Sequence, residues 1–269
     1  MIPGTLLTAW EGSPVEAWRQ DWQLPRLLVL DSTTSTNDVA RSLAGDGAPE
    51  GTVVIAEAQT AGRGQAGRAW YAPYGSALLM SIVLRAPAGA DPLVDPGPTP
   101  SRVGLATCLA IADTAGVHAR INWPNDIVCQ HHKLAGILCE GVSGPDGATV
   151  IAGVGINVTQ TADDFPQDLR APPTSLFVIT GRRFPRAPLA AAIIDRLRPF
   201  HLAGATLDDG AIELFRSLDA LAGLDVELNG SAAGIAHGIT PDGALILQTA
   251  TGRRTVRSGS VRARATPEP

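Results

Sequence analysis

Apolar residues recur in short, well-bounded bursts, and burst length separates strands from helices along most of the chain. Leu27 to Leu30, Thr52 to Ala56 and Ser76 to Leu84 are rich in branched apolar residues and bounded by Gly, Pro or polar residues, which predicts strands. Arg120 to Trp123, Ile127 to Gln130, Leu134 to Gly141 and Ala148 to Val158 add four more, giving a sheet of predominantly antiparallel character. Helical signals fall between them. Ser13-Pro14-Val15-Glu16 has a cap, a preset first-turn proline and an acid that reaches back. Ser35 or Thr36 caps a helix from about Asn37 to Leu43, and Ser101 caps one extending to about Ala115. Leu189 to Phe200 and Ala211 to Leu221 carry helical spacing, whereas Pro87 to Pro100 reads as an irregular surface loop.

Past Leu221 the pattern changes to short strands: Asp225 to Leu228, Gly234 to Gly238, Ala244 to Gln248 and Arg254 to Val261. Asn229-Gly230, Asp242-Gly243 and Thr251-Gly252 punctuate them, as expected of a small β-barrel. The chain therefore divides into residues 1–221, with 1–24 as an N-terminal extension, and residues 222–269.

Composition narrows the class. With 269 residues, 45% of them hydrophobic, the chain buries one substantial core and a small second domain. A net charge of -5 disfavours a general nucleic-acid binder, which presents a basic face to phosphates. Cys108, Cys129 and Cys139 sit in apolar stretches and read as reduced core thiols rather than a disulfide framework, in keeping with a cytoplasmic protein. The first residues lack the charge and apolar run of a signal peptide, and no later run approaches membrane-spanning length. Trp10, Trp18 and Trp22 are read as packing onto the domain rather than anchoring it to a membrane interface. Cys129, His131, His132 and Cys139 lack the paired clusters of a zinc site, and His131-His132 reads as a hairpin turn.

The densest chemistry lies in Gly62-Arg63-Gly64-Gln65-Ala66-Gly67-Arg68-Ala69-Trp70. Its glycines permit close approach of the backbone to a ligand, its arginines grip carboxylate or phosphate oxygens, and Trp70 supplies a flat apolar wall. Gln59 precedes this loop; Ser35-Thr36-Asn37 lies upstream, and Trp123-Pro124-Asn125-Asp126, Lys133-Leu134-Ala135-Gly136-Ile137-Leu138 and Gly153-Val154-Gly155-Ile156-Asn157 lie downstream. In order and spacing these motifs, with Gly234 to Gly238 and Gly243 to Leu247 near the end, resemble the biotin protein ligase family from about Leu28 onward.

The resemblance implies an α+β fold: a class II synthetase-like catalytic domain with a mixed, mainly antiparallel sheet, followed by a small SH3-like β-barrel. It also implies ATP-dependent formation of biotinyl-5'-AMP and transfer of biotin to a lysine of a biotin carboxyl carrier domain of a biotin-dependent carboxylase. Ser35, Thr36, Asn37, Gln59, Gly62, Arg63, Gly64, Gln65, Lys133, Gly136 and Gly155 would then bind biotin. Arg63, Arg68, Trp70, Asn125, Asp126, Lys133, Asn157 and Arg264 would bind the nucleotide. Lys133, Arg63 and Arg68 would offset the repulsion between a carboxylate and a triphosphate. Magnesium would arrive with ATP, near Asp126, without a fixed protein cage.

Three positions depart from the family's pattern: Gln65 and Asn122 stand where basic residues are common, and Ser260 where Glu is frequent. Only about two dozen residues precede the first predicted strand, too few for a winged helix-turn-helix, so a monofunctional ligase without DNA binding is expected, as monomer or homodimer. The alternatives are a lipoate or octanoate ligase or transferase of the same architecture, and a noncatalytic biotin-binding module. The Gly-Arg loop favours biotin over the former, and Lys133 favours catalysis over the latter.

Overall fold

The computed structural model describes residues 4–85, 97–144, 147–167, 169, 171–198 and 206–264. A short hairpin, β1 (Ala9–Trp10) and β2 (Ser13–Pro14), leads into α1 (Val15–Asp21). Then follow β3 (Leu27–Thr33), α2 (Thr36–Gly45), β4 (Val53–Gln59), β5 (Ala77–Arg85) and α3 (Thr99–Ala115). Next come β6 (Arg120–Asn122), β7 (Asp126–Cys129), β8 (His132–Gly144) and β9 (Gly147–Asn157). Three helices, α4 (Leu176–Thr180), α5 (Arg186–Leu197) and α6 (Asp209–Leu218), precede β10 (Asp225–Leu228), β11 (Ser231–Ile239), β12 (Leu245–Thr249), β13 (Gly252–Val256) and β14 (Val261–Ala263).

Strands β3 to β9 form one seven-stranded sheet in the order β3-β4-β5-β9-β8-β7-β6. Only β3 and β4 run parallel, joined by α2 as the crossover; the remaining pairs are antiparallel. Their nearly unbroken apolar sequences follow from burial on both faces. Leu27 and Val29 of β3, with Val53 and Ile55 of β4, join the main core with α3 and α5. The intervening Leu28, Leu30, Val54 and Ala56 pack with Val39, Ala40 and Leu43 of α2 on the opposite face. The period of two thus builds three layers from continuous runs.

The second sheet is antiparallel, in the order β13-β12-β11-β10-β14. The fourth predicted strand of this region splits in two, because the chain turns at Ser258 to Ser260 and returns Val261 to pair with Leu228. This antiparallel sheet is consistent with the SH3-like domain expected, and among the described residues no pairing joins β13 to β14. The two sheets share a core: the cluster containing Trp123 and Ile127 continues into Val226, Ala236, Leu245 and Leu247. Trp123 Nε1 donates to the Gly243 carbonyl at 3.0 Å.

Several boundaries differ from expectation for local reasons. Pro14, not Ser13, is the residue preceding α1, because Ser13 is used in the pairing of β2 with Trp10. The hairpin turn before β8 is Gln130-His131, both with positive φ (50° and 67°), which leaves His132 in the strand. Helix α3 starts at Thr99, ahead of Ser101, and most of the proline-rich loop, residues 86–96, lies outside the described residues. The three tryptophans pack together as expected: Trp10 and Trp22 meet edge to face, and Trp18 stacks on Trp22.

Helix α6 begins ahead of Ala211 because the Asp208 carboxylate accepts from the Ala211 N–H at 2.8 Å. Removing that cap by Asp208→Ala should lower the unfolding free energy by about 1 kcal/mol, measured by urea titration. Asp208→Asn, which keeps an acceptor, should recover most of it.

Candidate active site

Sheet register sets the floor of the site. Gly136 of β8 and Gly155 of β9 are direct cross-strand partners, flanked by Leu79 of β5 and Asp126 of β7. The Trp70 indole lies flat in the space the two glycines leave. A Cβ at Gly136 would stand 2.9 Å, and one at Gly155 2.7 Å, from ring carbons of Trp70. One row further, a Cβ at Gly153 would stand 2.3 Å from Asn37 Oδ1, so this glycine admits the first turn of α2 against the sheet.

That first turn is held from several directions. Ser35 precedes α2, yet its side chain makes no capping bond. Instead Gln59 Oε1 accepts from Thr36 N at 2.7 Å and from Thr36 Oγ1 at 3.1 Å, supplying the cap from β4. The Ser81 hydroxyl lies 2.7 Å from Thr36 Oγ1 and 2.6 Å from Asn37 Oδ1. Asn37 Nδ2 donates to Glu140 Oε2 at 2.6 Å.

The Gly-Arg loop folds back on itself through Trp70 N to the Gly62 carbonyl (2.8 Å) and Gly64 N to the Arg68 carbonyl (2.6 Å). Arg63 is not free: its guanidinium donates twice to Asp38, at 2.8 and 2.7 Å, and reaches Glu140 at 3.4 Å. Arg41 completes the set with Asp38 and Glu140. The Arg63 hydrogen bonds hold the Asp38 carboxyl below its ordinary range, and the same bonds raise Arg63. Lys133 likewise has a partner, Asp126 Oδ1 at 2.6 Å, and its ammonium sits 5.6 Å from the Trp70 ring centre.

Two clefts meet here. The first is lined by Ser35, Thr36, Asn37, Gln59, Arg63 and the glycine floor. The second is lined by Gln65, Arg68, Asp126, Asn157, the apolar Phe165, Pro166 and Leu169, and Val261 and Arg262 of β14. Gly64, Trp70, Asn125 and Lys133 border both. Trp70 Nε1 is buried with no hydrogen-bond partner among the described residues, so a donor is left at this junction.

The sequence-predicted residues mostly assemble, with four refinements. Gln65 borders the second cleft rather than the first. Gly62 lines neither; a Cβ there would stand 2.6 Å from the Trp70 carbonyl oxygen, so its role is to let the loop close. Arg264 also lines neither cleft, because its side chain and N–H both bind Asp225, fastening β14 to β10. Asn125 and Asn157 line clefts but spend their amides on the frame, Asn125 on the Ile137 carbonyl and Asn157 on that of Thr174. Asp38, Ser81, Glu140 and Arg262 went unanticipated. All three departures from the family pattern, Gln65, Asn122 and Ser260, border the second cleft. Among the described residues no group of three or more His, Cys, Asp or Glu stands ready for a metal, and no helix is long and apolar enough to cross a membrane. Cys108, Cys129 and Cys139 are free thiols, and burial pushes Cys108 up to about 12.

The α+β sheet thus carries a glycine floor and two joined clefts with a lysine between them. Residues 29–157 match the Biotin/lipoate A/B protein ligase family, and residues 225–262 the Biotin protein ligase C terminal domain. The chain is 36% identical over 247 residues to the bifunctional ligase/repressor BirA of Bacillus spizizenii, covering 87% of this chain and 73% of that one. It is 34% identical over 252 residues to the biotin--[acetyl-CoA-carboxylase] ligase of Mycobacterium tuberculosis, covering 89% and 86%. The biotin protein ligase of Aquifex aeolicus in complex with biotin and ATP superposes with a TM-score of 0.74 at 26% identity, covering 90% of this chain and 100% of that one. The chain belongs to the biotin protein ligase family.

Two consequences are measurable. Gly155→Ala forces a Cβ against the indole and should cost about 1–3 kcal/mol in urea unfolding, but under about 0.5 kcal/mol when Trp70 is already Ala. For the ion pair, Asp38 is lowered in the folded state, so its stabilisation is present at neutral pH and lost as pH falls through the folded value. Asp38→Asn should therefore be less stable than the parent at pH about 7, and the difference should vanish on acidification below the ordinary carboxylate range.

Proposed function

We propose that the chain activates biotin with ATP as biotinyl-5'-AMP and transfers the biotinyl group to a lysine of a biotin carboxyl carrier domain. The carrying observation is that Lys133, Trp70, Asn125 and Gly64 border both clefts, so ligands in the two clefts meet at one lysine. Family membership agrees with the reading, and biotin and ATP are what the Aquifex aeolicus relative holds.

Each residue then has a task. Ser35, Thr36, Asn37 and Gln59 offer donors and acceptors to the polar head of biotin, while the glycine floor and Trp70 take its apolar body. The tail carboxylate points to the junction, where the Lys133 ammonium reduces its repulsion from the α-phosphate. A carboxylate oxygen attacks the α-phosphorus and pyrophosphate departs. The neutral amine of the carrier lysine then attacks the biotinyl carbonyl, the carbonyl–O–P link breaks, and AMP leaves with the bonding pair while the amine sheds its proton. The nucleotide occupies the second cleft, with Arg68 and Arg262 on its rim and Phe165, Pro166 and Leu169 as apolar wall. Asp126, the carboxylate lining this cleft, would hold a magnesium ion arriving with ATP, and such an ion would offset phosphate charge there. The three free cysteines suit a reducing, cytoplasmic setting.

Purified protein should release pyrophosphate from ATP-Mg only when biotin is present, and should then label a biotin carrier domain. Lys133→Ala should slow adenylate formation by about a hundredfold, the scale of losing one preorganised electrostatic contact. Turnover with lipoate and none with biotin would overturn the reading, as would unchanged single-turnover kinetics in the variant for the role of Lys133.

A further inference from the structure

A buried carboxylate and a buried guanidinium meet a half-buried carboxylate outside both clefts, at the foot of the Gly-Arg loop. Arg186, the first residue of α5, donates to Glu57 Oε2 at 2.8 Å and Oε1 at 3.0 Å, and through Nε to Glu11 Oε1 at 2.8 Å. The Arg186 backbone N–H donates to Glu11 Oε2 at 3.1 Å, so a carboxylate from the N-terminal hairpin caps a helix whose own preceding residue, Pro185, does not. Trp10 Nε1 donates to Glu57 Oε1 at 2.6 Å, and the guanidinium stands 5.5 Å over the Trp10 ring. Trp10, Glu57 and Arg186 are 3%, 6% and 9% exposed.

Stability does not explain such a cluster, because apolar residues of similar volume commonly serve a core as well or better. Its place in the chain does. Glu57 lies on β4 two residues before Gln59, the residue that holds Thr36. The Glu57 carbonyl accepts from Gly75 N at 2.9 Å, and Arg186 Nη1 reaches the Ala77 carbonyl at 3.4 Å, where the chain leaves the loop and enters β5. Glu57 is therefore tied to both ends of the segment 60–75, which carries Arg63 and Trp70: directly by its place on β4 and its backbone carbonyl, and through its carboxylate by way of Arg186 to Ala77.

We propose that Glu57 is a positioning residue for ligand binding: gripped by Trp10 and by an Arg186 that Glu11 holds in place, it fixes the separation and direction of the strand ends from which the Gly-Arg loop springs. The N-terminal hairpin thereby becomes part of the ligand machinery, although none of its residues lines a cleft. This inference rests on the reading that the first cleft takes biotin. With the clamp in place the loop base is already ordered, and the ligand supplies only the ordering of the tip. Without it, the same ordering is drawn from binding energy.

The test uses the full chain and the variants Trp10→Phe, Glu11→Gln and Glu57→Gln, with Asp208→Ala as a control that loosens α6 instead. Amide exchange of residues 62–70 in the free protein should accelerate, and the biotin KM in the pyrophosphate-release assay should rise, each about tenfold in Trp10→Phe and Glu57→Gln, with kcat within about twofold. The control should leave both at parent values. If the clamp variants lose stability while loop exchange and KM stay at parent values, the cluster is only a fastener and the proposal is wrong. Should Glu57→Gln fail to fold, Trp10→Phe, which removes the N–H donor to Glu57 and keeps an aromatic, if smaller, ring, decides the matter. A parent without biotin-dependent turnover would defeat the functional reading alone, since the exchange comparison still judges the clamp.

Discussion

The site depends on the contact between the Trp70 indole and two facing glycines. Gly136 and Gly155 stand opposite one another on β8 and β9, and any side chain at either position would meet the ring at under 3 Å. The bare backbone lets an exposed loop reach down to a central pair of strands. It also carries the ring between the two clefts, with Lys133 beside it. Sheet register, loop length and the facing glycines at 136 and 155 all serve that contact.

A second constraint is electrostatic. The site gathers cations for anionic ligands, yet like charges cannot be stored together without partners. Asp38 and Glu140 hold Arg63 and Arg41, while Asp126 holds Lys133. Binding on the proposed reaction is therefore an exchange of carboxylates for ligand oxygens, which keeps the side chains aimed and the charge balanced beforehand.

Much of this was legible from local pattern. Runs such as Leu27 to Leu30 declared strands, and the glycine-arginine loop and Lys133, picked out in the sequence, come together at the two clefts. What sequence could not show is which distant groups meet. Asp38 follows Asn37 directly, but its pairing with Arg63 depends on the crossover from β3 to β4. The cap of α5 comes from Glu11, 175 residues away, and no local rule anticipates it. Arg264 was placed at the nucleotide by motif position, whereas pairing of β14 with β10 gives it to Asp225 and leaves Arg262 facing the cleft. Turn spacing marks the short strands of the second sheet, whereas their order, β13-β12-β11-β10-β14, comes from pairings that local pattern does not specify.

The central claim is that ligands in the two clefts react with each other at Lys133. Biotin labelled with heavy oxygen in its carboxylate tests this directly through the AMP released after transfer to a carrier lysine. Attack of the carboxylate on the α-phosphorus leaves one labelled oxygen on each AMP. AMP free of label, from turnover that still biotinylates the carrier, would contradict the account.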